Sequence, residues 1–202
     1  MAEFQTKNIT YFLKTGISNT DKAISLAVER VAEGDITKVV VATSSGDTGL
    51  KVYDAFKDTD GVDVVPVVLN AGSKYSAPDG EWTKNKGKYD KLGLKYVQSI
   101  HAFSGIERAV KSRWNTAGPA LLIGDALKLS GEGFKVCVEI AVMACDCGAV
   151  APVDKVLVLS GSGHGADTCL VVRPAYSSSF FDFAIQEIVC KPITHGIKHE
   201  AR

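Results

Sequence analysis

Two short stretches rich in hydroxyl and glycine residues could each bind an anion. The first, Thr43-Ser44-Ser45-Gly46-Asp47-Thr48, directly follows an apolar run at 39–42. Glycine lets a backbone approach a ligand closely, hydroxyls donate hydrogen bonds, and a following helix offers unpaired N–H groups and its positive dipole end. Serine, threonine and aspartate are also ordinary helix N-caps. An anion site and simple helix capping therefore both explain the pattern.

The second stretch is Ser160-Gly161-Ser162-Gly163-His164-Gly165-Ala166-Asp167-Thr168, after the apolar run at 156–159. Ligands of open α/β sheets gather beyond the carboxyl ends of parallel strands, which is where both stretches are expected. Neither matches a G-x-G-x-x-G dinucleotide fingerprint, and the Gly-Lys-Ser/Thr of a P-loop is absent. The pattern therefore disfavours nucleoside triphosphate hydrolysis.

A third group combines the carboxylates Glu139 and Asp146 with Arg108, and His101 lies nearby in the sequence. Seven residues are nearly two helical turns, so a helix places both carboxylates on one face with Met143 between them. A carboxylate in so apolar a segment needs a partner. An ion pair between Glu139 and Arg108, or contact with a ligand, would supply one.

No other catalytic or metal-binding pattern is evident. The chain has no G-x-S-x-G nucleophile elbow and no grouping typical of a catalytic triad. The Cys145-Asp146-Cys147 spacing has no matching second pair, and His164, His195 and His199 do not stand at ligand spacing. We therefore expect no metal site, and reduced, mostly buried thiols in place of a disulfide framework.

The elements that position these groups alternate between strand and helix. Strands are predicted at 9–13, 39–42, 62–69, 94–98, 156–159 and 169–172. Helices are predicted after Asn19, from 47, from Ser104, over 119–129 and over 134–144, whereas 180–189 fits either a helix or a strand. The polar segment 70–93 is a candidate lid whose second half could be a short helix. This alternation predicts an α/β fold with a mostly parallel sheet.

Composition is that of a globular protein with no preference for polyanions. The chain has 202 residues, 46% of them hydrophobic, and its 23 basic residues balance its 23 acidic ones. We expect a single domain spanning 1–202, with no nucleic-acid or membrane partner. No apolar run approaches the roughly 18 residues of a membrane span, and the first residues lack a signal-peptide pattern, so a cytoplasmic location is expected.

With these motifs placed, the chain resembles the C-terminal α/β domain of pyruvate kinase, and more closely the stand-alone archaeal and bacterial proteins built on that domain. The resemblance covers nearly the whole sequence. The stretches that match are 11–12, 19–20, 40–48, His101, 104–108, 135–148, 165–168 and 173–174. It implies a three-layer fold with helices on both faces of the sheet. The catalytic barrel of the kinase has no counterpart here, so we expect no pyruvate kinase activity.

The resemblance also implies a phosphorylated ligand, with FMN named first. In the kinase domain the loop matching Thr43, Ser45, Gly46 and Thr48 cradles a phosphate of a sugar bisphosphate; Asp47 departs from that pattern, because a carboxylate beside a phosphate repels it. The expected ligand-binding residues are Thr43, Ser44, Ser45, Gly46, Asp47, Thr48, Ser104, Gly105, Arg108, Glu139, Met143, Asp146, Gly161, Gly163, Asp167 and Thr168.

An isoalloxazine ring would need an apolar floor, for which Met143, Tyr75, Trp82 and Phe103 are the candidates. Two other functions stay open: a regulatory module that senses a sugar phosphate or another phosphorylated metabolite, and a small flavin-dependent oxidoreductase. Self-association through Phe180 and Phe181 is a further possibility.

Overall fold

A computed structural model describes residues 3–193. His195 and His199 lie outside this range. The strands are β1 (Thr10–Phe12), β2 (Lys38–Ala42), β3 (Asp63–Val68), β4 (Val97–Gln98), β5 (Val156–Ser160), β6 (Thr168–Arg173) and β7 (Ala184–Pro192). The α-helices are α1 (Thr20–Val31), α2 (Asp47–Phe56), α3 (Glu81–Leu92), α4 (Gly105–Trp114), α5 (Pro119–Leu127) and α6 (Glu132–Asp146).

The seven strands form one sheet in the order β1-β7-β6-β5-β2-β3-β4. Only β6 runs against the others, because it pairs antiparallel with both β5 and β7 while every remaining pair is parallel. This confirms the predicted α/β class and mostly parallel sheet. Strand β1, however, lies at the edge beside β7, and three strands separate it from β2.

Helices cover both faces of the sheet. One face packs against α6, whose Val138, Ala141 and Cys145 are fully buried or nearly so. The other face packs against α1 and α2 through residues such as Ala27, Val52 and Phe56. Strands buried on both sides explain the continuous apolar runs of β2 and β5. The core thus holds two adjacent parallel strands rigidly, and the candidate site lies at their carboxyl ends.

Three predicted elements are sharpened or corrected. The ambiguous stretch at 134–144 is a helix, as predicted, and 180–189 divides into a 3₁₀ turn (Ser177–Asp182) followed by β7. The strand predicted at 94–98 was too long. Gly93 ends α3 in the left-handed region, and the Leu94 N–H bonds to the Tyr89 carbonyl. Leu94 thus belongs to the helix end, and only 97–98 pair in the sheet.

The predicted state of the cysteines is confirmed for the most part. All five are free, and all except Cys147 are buried. Burial raises the pKa of Cys145 to about 11 and that of Cys190 to about 12, so these thiols stay protonated. Within residues 3–193 no cluster of metal-ligating side chains occurs, and no helix there is long and apolar enough to cross a membrane.

Candidate functional site

The two hydroxyl-rich and glycine-rich turns meet at one cavity. Strand β2 pairs in parallel with β5, with Val41 opposite Leu159, so the turns after these strands lie side by side. The cavity between them has a volume of about 200 Å³. Its walls are Ala42, Thr43, Ser44, Ser45, Thr48, Val67, Val68, Leu69, His101, Val136, Glu139, Ile140, Met143, Gly161, Gly163, His164 and Gly165. The sequence-based prediction that both turns share one edge is therefore confirmed.

The turn at 43–48 contributes Thr43, Ser44, Ser45 and Thr48 to the cavity wall and begins α2. Thr43 is buried, and its Oγ1 accepts a hydrogen bond of 3.1 Å from the Gly49 N–H. Gly46 has a φ of +97°, a conformation that glycine adopts without the steric penalty of a side chain. Because α2 starts at Asp47, its first N–H groups have no partner within the helix, and they carry its positive dipole end.

Asp47, the departure from the kinase pattern, does not wall the cavity. Its carboxylate accepts hydrogen bonds from Ser45 Oγ at 2.9 Å and from Asn85 Nδ2 at 3.0 Å. Asn85 Nδ2 also donates to the Ser45 carbonyl, at 2.8 Å. The carboxylate is thus tied to α3 on the outside of the turn, and the negative charge is kept out of the cavity walls.

Segment 70–93, the candidate lid, is packed against this turn. The Tyr89 hydroxyl, fully buried, donates to the Gly46 carbonyl at 2.6 Å. Trp82 packs edge-on against Tyr89 with ring centroids 4.9 Å apart, and burial raises the pKa of Tyr89 to about 12. The second half of the segment is the predicted helix, α3. It supports the turn from behind, and neither aromatic ring lines the cavity.

A buried carboxylate organises the second turn. Asp167 accepts hydrogen bonds from the Ser162 N–H at 3.2 Å, the Gly16 N–H at 2.9 Å and Thr168 Oγ1 at 2.9 Å. A side chain at Gly161 would collide with the Gly165 carbonyl oxygen. Gly161 and Gly163 wall the cavity as expected of ligand-binding residues, whereas Asp167 and Thr168 lie beneath the turn and fix its shape.

Glu139 lies at the cavity wall on α6, only 2% exposed. Its Oε1 accepts from the Phe103 N–H at 3.2 Å; its Oε2 lies 2.5 Å from Lys135 Nζ and 3.4 Å from His101 Nδ1. Burial by itself raises the pKa of Glu139, but His101 and Lys135 outweigh burial and lower it to about 2. The carboxylate is therefore ionised at neutral pH.

The predicted ion pair between Glu139 and Arg108 is wrong. Arg108 donates to Ser104 Oγ, at 3.2 Å, and it does not wall the cavity. Lys135 stands one helical turn before Glu139 on α6, so it reaches the carboxylate within the same rigid element. A partner from the separate helix α4 is not required.

The remaining predicted ligand residues border a neighbouring depression of about 260 Å³. Ser104, Gly105 and Asp146 line it, and it shares His101 and Met143 with the main cavity. Asp146 lies at the exposed end of α6, where it accepts from the Ser177 N–H at 2.9 Å. Glu139 and Asp146 thus line different depressions.

Of the four candidates for an apolar floor, only Met143 walls the cavity. Phe103 packs into the core against Phe180, with ring centroids 5.4 Å apart. Trp82 and Tyr75 belong to the apolar cluster around Tyr89. The apolar part of the wall is aliphatic, with Val67, Val68 and Ile140 among its members.

His101 was missing from the predicted ligand-binding residues, although it borders both depressions. The available signal was its position, three residues after β4 at the carboxyl edge of a parallel strand.

No protein-family model matches the chain. The function of the site is therefore inferred from its geometry and from the resemblance.

Proposed function

We propose that the protein binds a phosphorylated small molecule in the cavity between the turns at 43–48 and 161–165. The observation that carries this proposal is the meeting of two donor-rich turns at one cavity, beyond the carboxyl ends of adjacent parallel strands. A phosphate there would accept hydrogen bonds from the hydroxyls of Thr43 and Thr48 and benefit from the N-terminus of α2. The Ser45 hydroxyl would exchange its hydrogen bond to Asp47 for one to the phosphate.

FMN is the ligand we would test first, because the resemblance to the pyruvate kinase C-terminal-like family implies it. Its single phosphate would occupy the 43–48 turn, and its ribityl hydroxyls could donate to the Glu139 carboxylate at the wall. The ring would extend over Met143 into the neighbouring depression, since the two depressions share that residue and His101. We also propose that the protein lacks pyruvate kinase activity, because the catalytic barrel of the kinase has no counterpart in the sequence.

A smaller phosphorylated metabolite, sensed by a regulatory module, is the second candidate. Pockets for drug-sized ligands commonly measure roughly 300–1,000 Å³. The main cavity has about 200 Å³, and its apolar wall lacks an aromatic side chain. Both features favour a sugar phosphate over a flavin. Both ligands would make the same contacts through the phosphate, and they differ only in the rest of the molecule.

Purification under native conditions tests the proposal. A yellow protein that releases FMN on denaturation, identified by mass spectrometry, supports flavin binding; bleaching by a nicotinamide donor would add the oxidoreductase activity. A colourless protein that releases a sugar phosphate supports the regulatory module. Failure to retain or bind FMN and phosphorylated sugars in titrations contradicts the proposal as a whole.

A further inference from the structure

His101 stands where a ligand of the cavity would meet it. The residue lies in the connection between β4 and α4, it borders both depressions, and its side chain is 26% exposed. Its Nδ1 is 3.4 Å from Oε2 of Glu139. The ring therefore turns one nitrogen toward a buried carboxylate.

Glu139 is suited to orient this ring and unsuited to act as a base itself. Its two oxygens are engaged by Lys135 and by the Phe103 N–H, and the latter contact also fixes the backbone two residues after His101. A general base works best when its pKa is near the operating pH, whereas the pKa of Glu139 is about 2. Only 2% of Glu139 is exposed.

A carboxylate at Nδ1 selects one tautomer of a neutral histidine. With Nδ1 3.4 Å from Oε2, the carboxylate favours the tautomer that carries its proton on Nδ1, in which Nε2 keeps an unshared electron pair. The same division of roles, with a carboxylate holding a histidine that moves the proton, operates in acyl-transfer enzymes. Here the Nε2 edge belongs to a partly exposed ring on the cavity wall.

We propose that His101, oriented by Glu139, is a general base of the cavity, and that the phosphorylated ligand presents a hydroxyl to His101 Nε2. This rests on the proposed function and makes the site an acid–base active site for phosphorylated sugars or polyols. In the step, the ligand O–H bond breaks, its electron pair stays on oxygen as an alkoxide, and an Nε2–H bond forms. The imidazolium produced is stabilised by the adjacent Glu139 carboxylate, and the reverse transfer returns the proton.

Other charged groups near the ring are few in the described part of the chain. Lys135 and Glu139 face it from α6, His164 shares the main cavity, and Glu107 and Asp146 border the neighbouring depression. Glu107 is already engaged, because its carboxylate accepts from the N–H groups of Ala120 and Leu121. Glu139 is the carboxylate whose contact with His101 sets the tautomer.

Nitrogen NMR of the imidazole rings in ¹⁵N-labelled full-length protein tests the orientation without any ligand. His101→Gln assigns the signals by their loss. In the neutral ring we expect Nδ1 protonated and Nε2 unprotonated. Glu139→Gln should shift the population toward the other tautomer, whereas Glu132→Gln, on the same helix but beside Lys128, should leave it unchanged. A wild-type His101 ring protonated on Nε2 overturns the proposal.

Two probes then separate this proposal from the phosphate site itself. Ribose 5-phosphate should perturb the backbone amides of 43–48 and also His101 Nε2, whereas inorganic phosphate should perturb only the amides. If ribose 5-phosphate shifts the amides and leaves Nε2 unchanged, the general base is refuted and phosphate binding stands. If neither probe moves the amides, the phosphate site fails, and the substrate assigned to His101 fails with it.

Discussion

Replacing Gly46 by alanine should destabilise the protein through two separable effects. The φ of +97° lies outside the range that alanine prefers, and a left-handed conformation costs about 1–2 kcal/mol in a residue with a side chain. A Cβ at Gly46 would also lie 3.1 Å from Asn85 Cβ and 3.3 Å from both the Trp82 and Tyr89 rings. Overpacking of this kind adds about 1–3 kcal/mol.

Gly61→Ala is the matched control. Gly61 also has a positive φ, +72°, but no atom lies within 4 Å of the position its Cβ would take. The loss of glycine's freedom in the unfolded chain is the same for both substitutions and cancels in the comparison. We therefore expect Gly46→Ala to lower the free energy of unfolding by about 3 kcal/mol, and Gly61→Ala by about 1 kcal/mol.

Urea unfolding and thermal melts measure the difference. For a chain of this size each kcal/mol lowers Tm by about 2–4 °C, so the variants should be separated by roughly 4–8 °C. Gly46→Ala should also weaken binding of FMN or ribose 5-phosphate, since α3 and the turn must move apart, whereas Gly61→Ala should bind normally. Equal destabilisation by the two substitutions would refute the tight packing of α3 against the turn.

Three further substitutions test other parts of the molecule. Thr48→Val should weaken binding of a phosphorylated ligand about tenfold through loss of one hydroxyl donor, measured by calorimetric titration; the exposed Thr59→Val should not, and equal affinity would contradict the role of Thr48. Glu139→Gln should cost about 3 kcal/mol at pH 7, because the pKa of Glu139 falls from 4.5 to about 2 on folding. That stability is present above pH 4.5 and lost toward pH 2, so urea melts should show the two proteins converging in acid, and a pH-independent gap would contradict it. Arg30→Met should cost about 3 kcal/mol in denaturant unfolding, since the buried Arg30 pairs with Glu187, which is 15% exposed; a loss below about 1 kcal/mol would contradict the pair.

Local pattern was enough to predict the frame of the candidate site. The run at 39–42 is apolar throughout because β2 is buried on both faces, and the turn after it contains the hydroxyls that accept hydrogen bonds from the first N–H groups of α2. The length of the apolar stretch at 134–144 and its stop at Gly148 indicated a helix, which α6 is. Neighbouring positions decide these features, so sequence reveals them.

Long-range partners were not predictable from spacing. The approach of His101 to Glu139 depends on how the connection after β4 packs against α6. The outward tilt of Asp47 depends on Asn85, which lies 38 residues away. In the same way, the position of β1 beside β7 arises from pairing between the two ends of the described chain. Each of these contacts joins elements whose local patterns carry no record of one another.

A crystal structure of the protein soaked with FMN tests the central claim most directly. The account predicts the phosphate within hydrogen-bonding distance of the Thr43, Ser45 and Thr48 hydroxyls, with the ligand's body running along Glu139 and Met143. A phosphate seated anywhere else, for example in the groove between β3 and the end of α6, would contradict it. So would a cavity that stays empty of FMN and of ribose 5-phosphate at saturating concentrations.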